Sequence, residues 1–538
     1  MIVSEKYTSW KIKPGFIINK LRKLLSQPVH VVLLSLFPTL FLYSINIRDT
    51  FPEAVISPLI TVSVFTLIIY ALFFLFFRHT SKTALLSSLF LVLFFSYNRL
   101  FDLVKLWQVT FLGVTLGPNK MITLVFIAIF LLGVWYLLRF KGDFTRINKS
   151  LNIFALTLLA ISIFNIAYYE TTSQRMAIYS SNLKFTQDLP TLSEKTLNPP
   201  DIYYFIFDRY AGEETLKDLD FDNSDLMNFL KERGFYIATG SKSNYPNTTN
   251  SLSSSLNMDY LNFLPEKIRT QPYSDRMILL PLIRNNKVAG FLKSQDYKYY
   301  HVSSWWEPTR DNNFADVNLL PQTGYLAFNE FLREFLQAYV PVSSTYLNEL
   351  MIESTSRWHQ RVFSIFDYLP KEPGPKFVFA HILLPHAPYV FSESCESLTE
   401  KDTRVRTTKE NYLNQISCAN LKIKSMVGKI LSKSSQEPII VISADEGPHP
   451  IKTPLKHEGY WKDASLDSIK EKFPISTAIY LPNIKENPLY STISPVNFFR
   501  VIFNTYFHTN LELLPDKNYV FPDPSRTYNF IEVTEKLK

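Results

Sequence analysis

Five long apolar runs in the first third of the chain limit what it can become. They cover residues 31–47, 54–77, 84–101, 122–140 and 151–169. A helix needs about twenty mostly apolar residues to cross the hydrocarbon core of a bilayer. These runs have that length and bring too little polar surface to be core helices of a soluble protein. Arg99 and Asp102 stand at the end of the third run, within reach of the interface. The remaining two thirds hold the acids, prolines and tyrosines of a water-facing fold, so the mean hydropathy of +0.00 averages two unlike parts. The expected organisation is a five-helix transmembrane domain over 1–170, a polar linker over 171–198, and an α/β domain over 199–538.

Orientation follows from Lys and Arg in the short flanks. Lys6, Lys11, Lys13, Lys20, Arg22 and Lys23 precede the first run. Arg78 and Lys82 follow the second, and Arg139, Lys141, Arg146 and Lys149 follow the fourth. The alternate loops hold only Arg48, and Lys105 with Lys120. The N-terminus is therefore expected inside, and five crossings put everything after Tyr169 outside. The first run lies too deep, behind too long a basic flank, for a cleaved signal peptide. The net charge of +8 is mostly explained by these inner flanks, and no nucleic-acid partner is expected. Cys395 and Cys418 both fall on the outer side, where an oxidising compartment permits a disulfide.

In the outer part, strand-like runs at 201–208, 297–303, 376–383, 438–443 and 475–482 alternate with helical stretches around 277–293, 324–338, 345–368 and 409–433. Ser224 reads as an N-cap and Gly234 as a helix stop. This alternation predicts a largely parallel sheet. Ligands of such sheets sit beyond the carboxyl ends of the strands. Two strands end there in acids, one in Asp208 and the other in Asp445 with Glu446. Clustered carboxylates repel, and a divalent cation between them would resolve this. They also read as exposed loop acids. Neighbours on a strand point to opposite faces, so Asp445 and Glu446 can share a site only if the backbone turns, which Gly447 permits.

"SNYPNTTNSLSSSLNMDYL" (243–261) is a hydroxyl-rich loop running into a helix. Its hydroxyls, Thr248 among them, are expected to cap that helix. Beside a metal, one would become a nucleophile. In "FAHILLPHAPYVF" (379–391), His381 reads as a satisfied core residue. His386, in the proline-flanked loop, is the better functional candidate. His449 and His457 follow the acid pair closely enough to line the same pocket.

The order of these pieces resembles the membrane-anchored, sulfatase-like branch of the alkaline phosphatase superfamily, which includes lipoteichoic acid synthases and phosphoethanolamine or phosphoglycerol transferases. The resemblance rests on "DIYYFIFDRY", "FLKERGFYIA", the 243–261 stretch, "SSWWEPTRDNNFADVN", "KFVFAHILLPHAPYVF" and "ISPVNFFRVIFNTYFHTNLELLPDKNYV". It implies that Asp208 is the first acidic metal ligand, Thr248 the nucleophile, and Asp445 the Asp of a late Asp-His pair. His386 would contact the substrate head group and assist proton transfer, and His457 would be a second downstream histidine. Two departures stand out. Glu446 replaces the usual His of the pair, and Arg209 stands where relatives have a small or acidic residue. With Glu446 as a ligand, the divalent cation would be Mn²⁺ or Mg²⁺ rather than Zn²⁺, though Zn²⁺ stays possible.

No cysteine lies near Thr248, so the sulfatase-type oxidised residue is missing and sulfate-ester hydrolysis is not the leading expectation. The implied activity is transfer of a phospho-head group, through a phospho-threonine, from a membrane phospholipid to an envelope glycan or lipid. Arg310 of the "SWWEPTR" loop would bind phosphate, and Trp305 or Trp306 a sugar face. The alternatives are a hydrolase of the same superfamily and a catalytically degenerate envelope-binding protein. The implied location is the cytoplasmic membrane of a bacterium.

Overall fold

The computed structural model describes residues 27–50, 52–105, 107, 109–111, 114–172, 189, 196–321, 330–341, 344–457 and 459–538. The linker expected over 171–198 and the basic residues before position 24 lie mostly or wholly outside them. The apolar runs form helices α1 (His30–Asn46), α2 (Ile56–Phe77), α3 (Thr80–Val104), α4 (Pro118–Arg139) and α5 (Thr145–Thr172). Among the described residues, four stretches are long and apolar enough to cross a membrane: Pro52–Phe77, which contains α2, and then α3, α4 and α5. With 17 residues, α1 is shorter. At 1.5 Å per residue it measures about 26 Å, slightly less than a hydrocarbon core.

Two compact units divide the chain. The first comprises residues 1–173 and also takes in 324–343. Inside it, His30 at the start of α1 ties that helix to α3 and α5. Its Nδ1 pairs with Ser88 Oγ at 2.6 Å and its Nε2 with Asn148 Oδ1 at 2.9 Å, while its backbone N–H donates to Asn152 Oδ1 at 2.8 Å. In an apolar medium polar groups need such internal partners. The expected 324–338 helix runs over Glu330–Tyr339 (α6). Its Phe331, Leu332, Phe335 and Tyr339 are buried in the same cluster as Tyr43, Val62 and Phe95. Asn98 Nδ2 donates to the carbonyls of Gln337 and Val340 at 2.8 and 2.7 Å, satisfying the end of that helix.

The second unit is built on a seven-stranded sheet. In chain order its strands are β1 (Ile202–Phe207), β2 (Tyr236–Ile237), β3 (Lys298–Val302), β4 (Val317–Leu319), β5 (Lys376–Ile382), β6 (Ile439–Ser443) and β7 (Ala478–Tyr480). The spatial order is β2-β7-β6-β1-β5-β3-β4. Strands β6, β1, β5, β3 and β4 are parallel, and β7 runs antiparallel beside β6. The five strands legible in the sequence all form. The two missed ones, β2 and β4, are edge strands of two and three residues, too short to show a period-two pattern.

Both faces of β1 are covered. Tyr203, Phe205 and Phe207 pack into one core layer with the long helix α8 (Thr408–Lys433), and Ile202, Tyr204 and Ile206 into the other. That second layer contains Leu252 and Leu256 from helix α7 (Thr248–Ser255) and the segment that follows it. The expected helix over 277–293 is broken at Asn285 into Leu280–Arg284 and Lys287–Ser294. Asn223, not Ser224, holds the N-cap position of the helix Ser224–Lys231, and Gly234 follows it at φ +83°. Cys395 and Cys418 form a disulfide, closing a segment of 23 residues.

His359 is buried in this unit without a hydrogen bond at Nδ1. Burial, helped by the charge of Lys422, lowers its pKa to about 3. The folded state thus binds its proton less readily than the unfolded chain, whose histidines titrate near 6.5. Stability is fully present above about 6.5 and falls as the pH drops towards 3, by up to about 1.4 kcal/mol per pH unit. Thermal unfolding of the detergent-solubilised chain between pH 7 and 4 checks this, and His359→Gln is expected to flatten the slope.

Candidate active site

The carboxyl edge of the sheet gathers the expected acids through strand register. Ile206 lies beside His381 of β5 on one side and Ser443 of β6 on the other. Side chains two residues apart share a face, so Asp208, His381 and Asp445 come out on the same side. One ligand atom from each of the three lies within 4.8 Å of the others, and all three residues are buried. This is the face that α7 covers, and Thr248 is the first residue of that helix. Asn247 caps the helix, accepting from Asn250 N–H at 3.0 Å. The Thr248 hydroxyl is thus spared the capping role and lies close enough to the Asp445 carboxyl to favour its charged form.

Three polar atoms in this cluster have no hydrogen-bond partner: Asp208 Oδ1, Asp445 Oδ2 and His381 Nε2. Buried polar atoms are rarely left so. Burial opposes the charge on Asp208, but His386, His381 and Arg209 outweigh it and hold its carboxyl well below the ordinary value. Burial first, then the charges of Asp208 and Glu446, push Asp445 well above the ordinary value. Two carboxylates this close cannot both ionise unless a cation compensates them. Two carboxylate oxygens and an imidazole nitrogen, all unpartnered and convergent, fit a divalent cation.

His381 was read from the sequence as a core residue. The structure puts its ring in the cluster and shows what aims it. Nδ1 pairs with Thr309 Oγ1 at 3.0 Å, and Thr309 in turn pairs with Ser304 Oγ at 2.8 Å. Nε2 then faces Asp208 Oδ2 at 3.4 Å. Metal-binding histidines are commonly fixed in this way by a partner on the other ring nitrogen. Trp306 packs edge-on against the ring at 5.4 Å. The "SWWEPTR" loop therefore serves the centre largely by holding His381.

No protein-family model matches the chain, and no curated protein does either. Among solved structures the chain is similar to the C-terminal periplasmic domain of EptC from Escherichia coli, with 13% identity over 64% of this chain and 96% of that one and a TM-score of 0.40. It is similar to the integral membrane protein lipooligosaccharide phosphoethanolamine transferase A from Neisseria meningitidis, with 11% identity over 89% and 95% and a TM-score of 0.38. A third is a protein in the alkaline phosphatase superfamily from Vibrio parahaemolyticus, with 11% identity over 64% and 79% and a TM-score of 0.39.

The other sequence candidates are placed unequally. Glu446 is not among the three residues whose ligand atoms converge. Its Oε1 accepts from Arg209 Nε at 3.1 Å and lies 3.0 Å from Lys472 Nζ, with Glu446 and Lys472 both buried. Its carboxylate is thus engaged by two cations. Gly447 serves another purpose: a Cβ there would meet the Lys472 carbonyl oxygen at 2.4 Å. His386 lies near enough to Asp208 to interact with its charge, and its ring stands 6.4 Å from that of Trp305. Burial lowers its pKa to about 4. Its Nδ1 donates to the Ala387 carbonyl, which leaves Nε2 as an acceptor in the neutral ring. Gln415 of α8 pins the loop, donating to the His386 carbonyl at 2.8 Å. Arg310 is ion-paired to Glu307 at 2.7 Å and to Asp311 at 3.5 Å, so its charge is already matched. His457 is exposed, against the ring of Tyr460.

This arrangement separates ligand from support. Asp208→Asn and His381→Ala are expected to lose bound metal, measured as metal per folded protein. Glu446→Gln is expected to keep it. That variant strands Lys472 in a buried site and should lower stability by about 3–5 kcal/mol.

Proposed function

We propose that the second unit is a metal-dependent phosphotransferase acting on the outer face of a bacterial cytoplasmic membrane. It takes a phospho-head group from a membrane phospholipid and passes it to a hydroxyl of an envelope glycan or lipid. The observation that carries this is the convergence of unpartnered Asp208, His381 and Asp445 atoms beside a helix-starting threonine hydroxyl. In this reading α1 is a fifth span, the N-terminus is inside, and the second unit is anchored at the lipid surface that supplies the donor.

Asp208, His381 and Asp445 would hold the cation. His381 adds an imidazole, which admits Zn²⁺ as well as Mn²⁺, a wider choice than Glu446 would have given. When bound, the cation would acidify the Thr248 hydroxyl and offset charge on the transferring group, worth several kcal/mol. Thr248 Oγ forms a bond to phosphorus as the P–O bond to diacylglycerol breaks. His386 Nε2 takes the threonine proton and returns it to the departing diacylglycerol oxygen. In the second half the acceptor hydroxyl gives its proton to His386 and bonds to phosphorus. Thr248 then leaves and regains that proton. Trp305, beside His386, offers a ring face for the acceptor sugar.

Intact-mass measurement on the full chain with phospholipid micelles and Mn²⁺ or Zn²⁺ tests the reading. The expected result is diacylglycerol release with a phospho-adduct that disappears in Thr248→Ala. Absence of both adduct and diacylglycerol release with either metal overturns it.

A further inference from the structure

Arg209 and Glu446 are the two departures noted in the sequence, and they meet in space. Arg209 directly follows Asp208 in a left-handed backbone conformation, φ +63°. Its position is fixed from three sides. Its N–H donates to Asp445 Oδ1 at 3.0 Å, its carbonyl accepts from Tyr412 Oη–H at 2.8 Å, and its Nε donates to Glu446 at 3.1 Å. Glu446 is shared with Lys472, and the Arg209 guanidinium also feels the charge of Asp208. The Arg209 side chain is 26% exposed. It lines a cavity of about 270 Å³ whose walls also include His386, Tyr389, Tyr412, His449 and Ile451. The described residues lining it include no carboxylate.

That wall chemistry discriminates between head groups. A cavity of this volume holds a small group rather than a whole lipid. An ammonium entering it would meet a fixed guanidinium at the wall and no carboxylate among the described lining residues. A polyol would meet ring nitrogens, a tyrosine surface and a cation able to bind its phosphate. We propose that this cavity is the head-group subsite, that it takes a polyol phosphodiester such as a phosphoglycerol in preference to one bearing an ammonium, and that Arg209 determines the choice. Glu446 is then a positioning residue, holding the guanidinium at the cavity wall. The proposal rests on the phosphotransferase reading for its substrate class.

The test separates the two. Full-length Thr248→Ala protein, loaded with Mn²⁺, is titrated with glycerophosphoglycerol and with glycerophosphoethanolamine, while diacylglycerol release from phosphatidylglycerol and phosphatidylethanolamine micelles is measured on the unaltered chain. Glycerophosphoglycerol is expected to bind at least tenfold tighter. Adding Arg209→Gln should bring the two within about threefold of each other, and Arg209→Lys should restore part of the preference by restoring the charge. Thermal unfolding with bound-metal content shows which variants are folded. Should Arg209→Gln not fold, the Arg209→Lys ratio and the unaltered preference still decide. Equal binding, tighter binding of the ammonium head group, or no binding of either overturns the subsite, even if diacylglycerol is released. A clear glycerol preference without any diacylglycerol release keeps the subsite and removes the transferase reading.

Discussion

Everything at the carboxyl edge of the sheet depends on the two-residue period of a β-strand. In β1 and its two parallel neighbours this period, with the register between them, aligns Ile206 with His381 and Ser443. It sends Asp208, His381 and Asp445 to the face covered by α7. Arg209, in a left-handed turn directly after Asp208, pairs with Glu446. Adjacent acids in the sequence thus have opposite fates. One is a candidate ligand, and the other is a buried counter-ion held by Arg209 and Lys472. Glu446 is part of a second charge arrangement, and the candidate nitrogen donor, His381, stands on another strand.

The sequence made much of this legible and hid the rest for identifiable reasons. The long apolar helices and the five main strands announced themselves by length, period and β-branched or aromatic content. Asp208 and Asp445 were visible because a carboxylate ending an apolar strand is chemically out of place. Thr248 was visible only together with them. His381 was hidden because its role depends on strand order: β5 lies directly beside β1, and nothing within "FVFAHI" says so. The support from Thr309 was hidden for the same reason, since it spans 72 residues. The available signal was a histidine one residue from the end of a strand expected to be parallel to the strand of Asp208. The ion pairs of Arg310 with Glu307 and Asp311 were not weighed from the sequence, where a lone positive charge stood out.

Burial sets the protonation states that the chemistry starts from. His386 is neutral at physiological pH because burial outweighs the attraction of Asp208. A neutral ring with Nδ1 committed to a carbonyl has one open nitrogen, suited to carrying a proton between two oxygens. The acids behave differently: one is held charged, and the other is pushed towards its neutral form by the first. Such a divergent pair marks sites where a positive species is expected to settle.

Residues 324–343 belong to the first unit although the chain on both sides of them belongs to the second. The polypeptide therefore passes between the units three times. During synthesis, the apolar cluster around Phe95 and Tyr43 waits for Phe331 and Phe335, which emerge more than two hundred residues later. The packing of the first unit is completed only after residues 174–323 of the second have been made. One cut between the units would still leave them stitched, through side chains that pack against a helix on the other side of the break.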